Sequence, residues 1–242
     1  MKQLILLLAV VAVLLAGLGY WVFWRGNPES HELSARAVAT RGLAEYLAKT
    51  QAGHRAMVLS NPYSKRAGAP RDIVATEQAG IRGLRQGFGT GLTLEAVAFP
   101  ELKAAAQTDP RAVYIDPETT TPLSYLVAED AFDNLARQYA HCDVVVSLIG
   151  LPAKLTRVQC WQTNGPPKFA LLLPDLRIIG DREAVKRAVK SGKLAAFVLS
   201  KPDAPDSNTP VGRDFAAEFE KRFVLVTAEN IDQVTRAYPK LF

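Results

Sequence analysis

An uncharged run near the amino terminus is the strongest constraint that this sequence places on its fold. The stretch from Gln3 to Trp24 contains no Lys, Arg, Asp or Glu. As an α-helix rising ~1.5 Å per residue it would reach about 33 Å, enough to cross a hydrocarbon core ~30 Å thick. Tyr20, Trp21 and Trp24 cluster at one end of the run, where amphipathic rings favour the membrane–water boundary. We therefore predict a transmembrane helix within residues 1–25, with the membrane contacted through residues 3–24.

The alternative interpretation of this run is a cleaved signal peptide. Cleavage requires small residues in an A-x-A-like pattern after a short apolar core. The best match is Gly17-Leu18-Gly19, but apolar residues continue beyond it, which favours an uncleaved signal-anchor. The Lys and Arg residues on either side of the run barely distinguish an amino terminus inside the cell from one outside it. A lone span before a large domain, however, usually acts as an export signal. We expect a single-pass inner-membrane protein of the cell envelope, with its domain facing the periplasm or the exterior.

After the apolar run, short β-type segments alternate with segments of helical periodicity. Residues 26–33 are polar and are predicted to form a linker to an α/β domain at 34–242, built as one domain or two small lobes. Predicted strands are 54–60, 92–99, 112–115, 143–149, 169–173, 194–200 and 223–227. Predicted helices are 34–50, 73–87, 153–162 and 229–238, with others starting at Thr121, Gly180 and Thr209. Because strands separated by helices pair in parallel, we predict a doubly wound, mostly parallel, Rossmann-like sheet of six or seven strands.

Composition and motifs exclude several functions. The net charge of +5 is scattered along the chain and forms no basic stripe, so no nucleic-acid partner is expected. The glycines between Gly87 and Gly91 follow a helix and precede a strand, the reverse of a phosphate-binding loop. Neither a Walker-type nor a G-x-S-x-G motif occurs, and the histidines lack metal-ligand spacing. No catalytic residue, metal or cofactor is therefore assigned, and Cys142 and Cys160 are either a disulfide or two separate thiols.

Polar residues at strand ends are the candidate ligand-binding residues. Open parallel sheets bind ligands beyond the carboxyl ends of their strands, where the winding direction reverses. If all strands are parallel, these residues meet at one rim of the sheet. Most also have an ordinary alternative role: a turn for Asn61, cover of the core edge for Tyr63, a bond to a neighbouring backbone group for Ser147, a solvated surface for Lys201 and the first turn of a helix for Glu229. The candidates are Ser60, Asn61, Tyr63, Ser147, Lys201 and Glu229.

Three segments resemble the type I periplasmic solute-binding family. They are AMVLSNP at 56–62, DVVVSLIGLP at 143–152 and FVLVTAEN at 223–230. The resemblance implies a periplasmic-binding-like fold that holds a small ligand and has no catalytic residues. We therefore expect a membrane-anchored domain with a solute-binding or sensory role. Two alternatives are a membrane-tethered enzyme with a site at the same rim and an envelope module that binds another protein.

Overall fold

The computed structural model describes residues 28–207 and 209–242. The predicted transmembrane segment at 1–25 lies outside these residues. Among the helices that are described, none combines the length and the apolar character needed to span a bilayer.

Six described strands form one sheet. The strands are β1 (Arg55–Leu59), β2 (Thr93–Ala98), β3 (Val144–Ser147), β4 (Lys168–Leu172), β5 (Leu194–Ser200) and β6 (Phe223–Val226). Their order in the sheet is β2-β1-β3-β4-β5-β6. Neighbours are parallel from β2 through β5, and β6 is antiparallel to β5. The predicted doubly wound, mostly parallel α/β sheet is thus confirmed.

Helices cover both faces of the sheet. Successive strand residues point to opposite faces of the sheet. Because helices cover both faces, the central strands are apolar at every position, and a separate core forms on each face. One core joins Met57 and Leu59 to the helices at 131–138, 182–190 and 231–237. The other joins Ala56 and Val58 to the helices at 28–50 and 71–88. The helices are α1 (Pro28–Thr50), α2 (Arg71–Phe88), α3 (Ala104–Thr108), α4 (Leu123–Leu126), α5 (Ala131–Gln138), α6 (Gln159–Gln162), α7 (Arg182–Lys190), α8 (Phe215–Arg222) and α9 (Ile231–Ala237).

Helices α1 and α2 pack against each other through glycine. A Cβ atom on Gly83 would lie 2.2 Å from Thr40 Oγ1 and 2.3 Å from the carbonyl oxygen of Ala37. One turn later, a Cβ on Gly87 would lie 2.4 Å from the carbonyl oxygen of Arg41. The missing side chains therefore let α1 approach α2 closely enough to share one core face.

Several predicted elements differ from those observed. Helix α1 begins at Pro28, so residues 28–33 of the predicted linker are helical. The predicted strand at 112–115 is absent, because Asp109 caps a short 3₁₀ turn at Pro110–Ala112 and the segment finds no strand partner. Of the predicted helix at 153–162, only a short 3₁₀ turn and α6 are formed.

The reversed direction of β6 follows from where the chain re-enters the sheet. The chain enters β6 directly after α8, and Phe223 pairs with Ser200 at the end of β5.

The two cysteines are free thiols in the structure. Cys142 is buried, and Cys160 is half-buried at the start of α6. Burial, together with the neighbouring Asp133 carboxylate, raises the pKa of the Cys160 thiol to about 12. A thiol with so high a pKa is protonated at neutral pH and is a poor nucleophile.

Candidate functional site

The carboxyl ends of β1, β3, β4 and β5 form one edge of the sheet, here called the rim. The chain leaves β1 for β2 on one side and then returns to β3 on the other, so the winding direction reverses between β1 and β3. Leu59 at the end of β1 lies in register with Ser147 at the end of β3. The rim at these two strands is therefore the position where doubly wound sheets usually bind ligands.

An ion pair between a half-buried arginine and a buried glutamate lies beneath the rim at this reversal point. Arg36 on α1 donates from Nη2 to Glu77 Oε1 on α2 at 2.9 Å. The other carboxylate oxygen, Glu77 Oε2, accepts the Ser60 hydroxyl at 2.5 Å and the Asn61 amide at 3.0 Å. Arg36 also donates to the carbonyl oxygen of Leu148 at 3.4 Å. This cluster joins α1 and α2 to the chain that leaves β1 and β3.

The guanidinium of Arg36 is not fully satisfied by these contacts. Its Nε is buried and has no hydrogen-bond partner among the described residues. Burial lowers the pKa of Arg36, and the Glu77 carboxylate opposes that shift. The Glu32 carboxylate acts in the same direction as Glu77, but of these two carboxylates only Glu77 is hydrogen-bonded to the guanidinium.

Three clefts lie along the rim, here called the rim clefts, and Leu173 lines all of them. Their volumes are about 230, 290 and 600 Å³. Leu173 follows β4 directly and has φ of 45°, in the left-handed region that non-glycine residues seldom adopt. Thr120 lines the first and third clefts, and Ser200 lines the second and third. The rim therefore carries a connected concave surface with hydroxyl groups on its walls.

The structure places Ser60, Asn61, Tyr63 and Ser147 near the predicted rim but gives them internal hydrogen bonds. Ser60 binds Glu77, and the Ser147 hydroxyl donates to the carbonyl oxygen of Gly150 at 2.5 Å. Asn61 Oδ1 accepts the Tyr63 amide at 2.9 Å, and the Tyr63 hydroxyl donates to the carbonyl oxygen of Ala106 at 2.9 Å.

Lys201 and Glu229 lie apart from this group. Lys201 follows β5 at the rim and donates to the carbonyl oxygen of Glu220. Glu229 follows the antiparallel β6 and so lies at the opposite edge, where its carboxylate accepts the Tyr46 hydroxyl at 3.3 Å. The expectation that Glu229 shares the rim is therefore wrong. None of the six predicted residues lines a rim cleft in the described part of the chain, and their contact with a ligand stays a prediction.

Sequence reasoning missed Arg36 and Glu77, although a signal for both was present. Arg36 precedes Leu43 and Leu47 on one stripe of α1, and Glu77 extends the stripe of Leu84 on α2 by helical spacing. A charged residue in line with an apolar stripe is directed toward the core, where it needs a partner. No comparable pattern marks Leu173 or Ser200.

Asp175 anchors the loop after β4 beside the largest rim cleft. This buried carboxylate accepts two hydrogen bonds from the Arg177 guanidinium, at 3.0 and 2.8 Å, and one from the Thr119 hydroxyl at 2.8 Å. Burial works to raise the pKa of Asp175, but the bonds from Arg177 and Thr119 outweigh it and hold the pKa below its ordinary value.

Replacing Asp175 by asparagine is expected to lower stability by about 1.5–3 kcal/mol at pH 7, because charged hydrogen bonds are lost. Since the pKa of Asp175 is lower in the folded state, this contribution is complete above the unfolded value of ~3.9 and is lost as the pH falls through the folded value. Urea unfolding at pH 7 and at pH 3 should show the wild-type advantage shrinking at the lower pH. Asp116→Asn, which removes a more exposed partner of Arg177 at 3.5 Å, is the control and should change stability much less. An advantage that does not change with pH would contradict the assignment.

No described set of three or more His, Cys, Asp or Glu side chains is arranged to hold a metal ion. The chemistry that the rim offers is hydrogen bonding from hydroxyls and backbone, beside arginines that are already paired with carboxylates.

Comparison with known proteins gives structural likeness only. No protein-family model and no curated protein sequence matches this chain. A sugar-binding protein of a sugar ABC transporter from Bacillus halodurans has 10% identity and a TM-score of 0.44, with 82% of this chain and 64% of that chain covered. An arabinose-binding protein from Geobacillus stearothermophilus has 13% identity and a TM-score of 0.42, with 84% and 62% covered. A carbohydrate transporter protein from Acidothermus cellulolyticus, in complex with myo-inositol, has 12% identity and a TM-score of 0.47, with 85% and 62% covered.

This chain therefore spans less than two thirds of the length of these structures. At TM-scores below 0.5, no family, ligand, activity or residue role follows from this likeness.

Proposed function

We propose that this domain binds a small, uncharged, hydroxyl-bearing molecule in the rim clefts. The observation that carries the proposal is the convergence of the three clefts on Leu173, at the carboxyl ends of β3, β4 and β5. The largest of them, at about 600 Å³, lies beyond β4 and β5 and falls within the ~300–1,000 Å³ usual for small-molecule sites. The cleft of about 230 Å³, lined by Leu148 and Ile149 after β3, adjoins the reversal of the sheet, where such folds bind ligands.

The preference for an uncharged ligand follows from the ion pairs of the rim. Arg36 is neutralised by Glu77, and Arg177 by Asp175. Arg222, which lines the second cleft, donates to Glu218 at 2.8 Å. A charged ligand would compete with these internal pairs, whereas a neutral polar molecule can bond to Thr120 and Ser200 without disturbing them.

The location of this activity rests on the uncharged segment. We propose that residues 3–24 hold the protein in the inner membrane and present the domain on the periplasmic or outer side, as a tethered solute-binding or sensory module. The alternatives of a membrane-tethered enzyme and an envelope interaction module gain no specific support from the described residues.

A thermal-shift series on the full-length protein tests the ligand site. The probes are neutral sugars and polyols, compared with amino acids and small carboxylates at the same millimolar concentrations. A ligand that binds only the native state stabilises it by ~2.7 kcal/mol at 100 times its dissociation constant, so one neutral probe should raise Tm by several degrees.

Two tyrosine variants test whether the rise in Tm comes from a ligand bound in the rim clefts. Ser200→Tyr places a ring in two of the rim clefts and is expected to abolish the shift. Thr156→Tyr adds the same ring to an exposed position in a cleft at the other edge of the sheet and should leave the shift intact. A shift that survives Ser200→Tyr, or a panel in which no neutral probe raises Tm, would overturn the proposal.

A further inference from the structure

The amino-terminal edge of the sheet holds a second concave surface, here called the amino-edge cavity. Its volume is about 670 Å³. Its walls are the segment 155–166, the starts of β4 and β5, and one side of α7. The α7 wall consists of residues at helical spacing, which places them on one stripe. These are Ala184, Arg187, Ala188 and, just after the helix, Ser191.

The amino-edge cavity carries positive charge that no lining carboxylate neutralises. Lys168, Arg187 and Lys193 line it, and the described lining residues include no Asp or Glu. Lys193 Nζ donates to the carbonyl oxygen of Gly165 at 2.9 Å, and Lys168 Nζ donates to Gln51 Oε1 at 3.3 Å. Both acceptors are uncharged, in contrast to the paired arginines of the rim.

Partial burial makes the unpaired positive charge of Lys193 less favourable. It lowers the pKa of Lys193, because the ammonium loses water without gaining a carboxylate. Lys168 begins β4, and Lys193 immediately precedes β5, the adjacent parallel strand. The Lys168 ammonium lies toward Gln51 on the α1 face of the sheet, whereas Lys193 and Arg187 lie on the face of Trp161 and α7. Two cations on one face without a lining carboxylate are stabilised by an anion.

An apolar wall adjoins these cations. Trp161 lines the cavity and packs against Phe169 with ring centroids 5.3 Å apart. Leu155, Ile178 and Ile179 complete the apolar part of the lining. A ring that entered here could contact the Trp161 side chain while an attached anionic group reached the cations.

We propose that the amino-edge cavity binds a small organic anion, with a phosphate or carboxylate held by Arg187 and Lys193 and a planar apolar body against Trp161. This site is distinct from the rim clefts, lies at the opposite edge of the sheet and does not depend on the function proposed for the rim.

Phenyl phosphate is the direct probe of this site. Phenol supplies the ring alone, and inorganic phosphate supplies the charge alone. The full-length protein carrying Trp21→Phe and Trp24→Phe retains Trp161 as its single tryptophan, so its fluorescence reports on the cavity. Phenyl phosphate should change this fluorescence with saturation, phenol should bind at least tenfold more weakly, and added salt should weaken phenyl phosphate binding.

Two matched substitutions on α7 separate the site from general charge effects. Arg187→Gln removes a cation from the cavity and should weaken phenyl phosphate binding roughly tenfold, as expected for a lost charged hydrogen bond. Arg182→Gln makes the same change on the same helix outside the cavity, where the side chain donates to the carbonyl oxygen of Pro239. It should leave the binding unchanged. Equal losses in the two variants, equal binding of phenol and phenyl phosphate, or no saturable response to phenyl phosphate would overturn the proposal.

Discussion

Replacing Glu77 by alanine is expected to lower the free energy of unfolding by about 3–5 kcal/mol, the cost typical of removing one partner from a buried ion pair. The substitution leaves the Arg36 guanidinium without its carboxylate. It also leaves the Ser60 hydroxyl and the Asn61 amide without their acceptor. The loss is measured by urea unfolding at neutral pH.

A second ion pair on α1 provides the control for Glu77→Ala. Arg41 and Glu45 form a bond of the same kind at 2.8 Å, but both side chains are more than a third exposed. Glu45→Ala should therefore cost less than ~1 kcal/mol. The double variant Arg36→Met with Glu77→Leu removes both charges and should be less damaging than the two single changes added together. A Glu77→Ala loss no larger than that of Glu45→Ala would show that the pair does not hold the rim together.

Replacing Gly83 by alanine should lower stability by about 2–3 kcal/mol, although alanine is the better helix former by ~1 kcal/mol. The added methyl would meet the Ala37 carbonyl oxygen at 2.3 Å, which is backbone and cannot turn aside. Helix α1 would have to move away from α2 and loosen the core that both share. Urea unfolding measures the loss, and circular dichroism should show the helices still present.

Gly80→Ala is the matched substitution one turn earlier on α2. The nearest atoms to its Cβ would be Arg36 Nε and Leu148 Cδ1, both at 3.2 Å and both on side chains that can shift. Its effect should be small, because helix propensity offsets the crowding. If Gly83→Ala were as well tolerated as Gly80→Ala, the close approach of α1 and α2 would be wrong.

The alternation of elements was predictable from the sequence because it depends on local pattern. The apolar run at 143–149 and the amphipathic run at 73–87 each carry enough periodicity to identify β3 and α2. The strand at 112–115 was predicted from a run too short to distinguish a strand from a packed loop. The direction of β6 depends on the pairing of Phe223 with Ser200, which joins segments distant in sequence and has no local signal.

The candidate site was predictable in position and less so in its residues. The rule for doubly wound sheets led to the ends of β1 and β3. It could not reveal that Ser60 turns inward to Glu77, since that contact joins the residue after β1 to a helix that comes later in the chain. The contact of Ser147 with Gly150 is local and is the ordinary backbone hydrogen bond open to a serine in an apolar strand. Leu173 and Ser200 line the rim clefts because of how three loops meet, which depends on tertiary packing alone.

The place of α1 determines when this chain can finish folding. The first described helix packs beside the last elements of the domain: Arg41 lies over the Phe215 ring, and Gly42 leaves space for Phe219. Its core face also joins residues of β5 and β6. A ribosome that has released only the first two hundred residues leaves this face of α1 incompletely covered. This face of α1 therefore stays partly exposed to chaperones and to aggregation until Phe215, Phe219 and Phe223 have been synthesised.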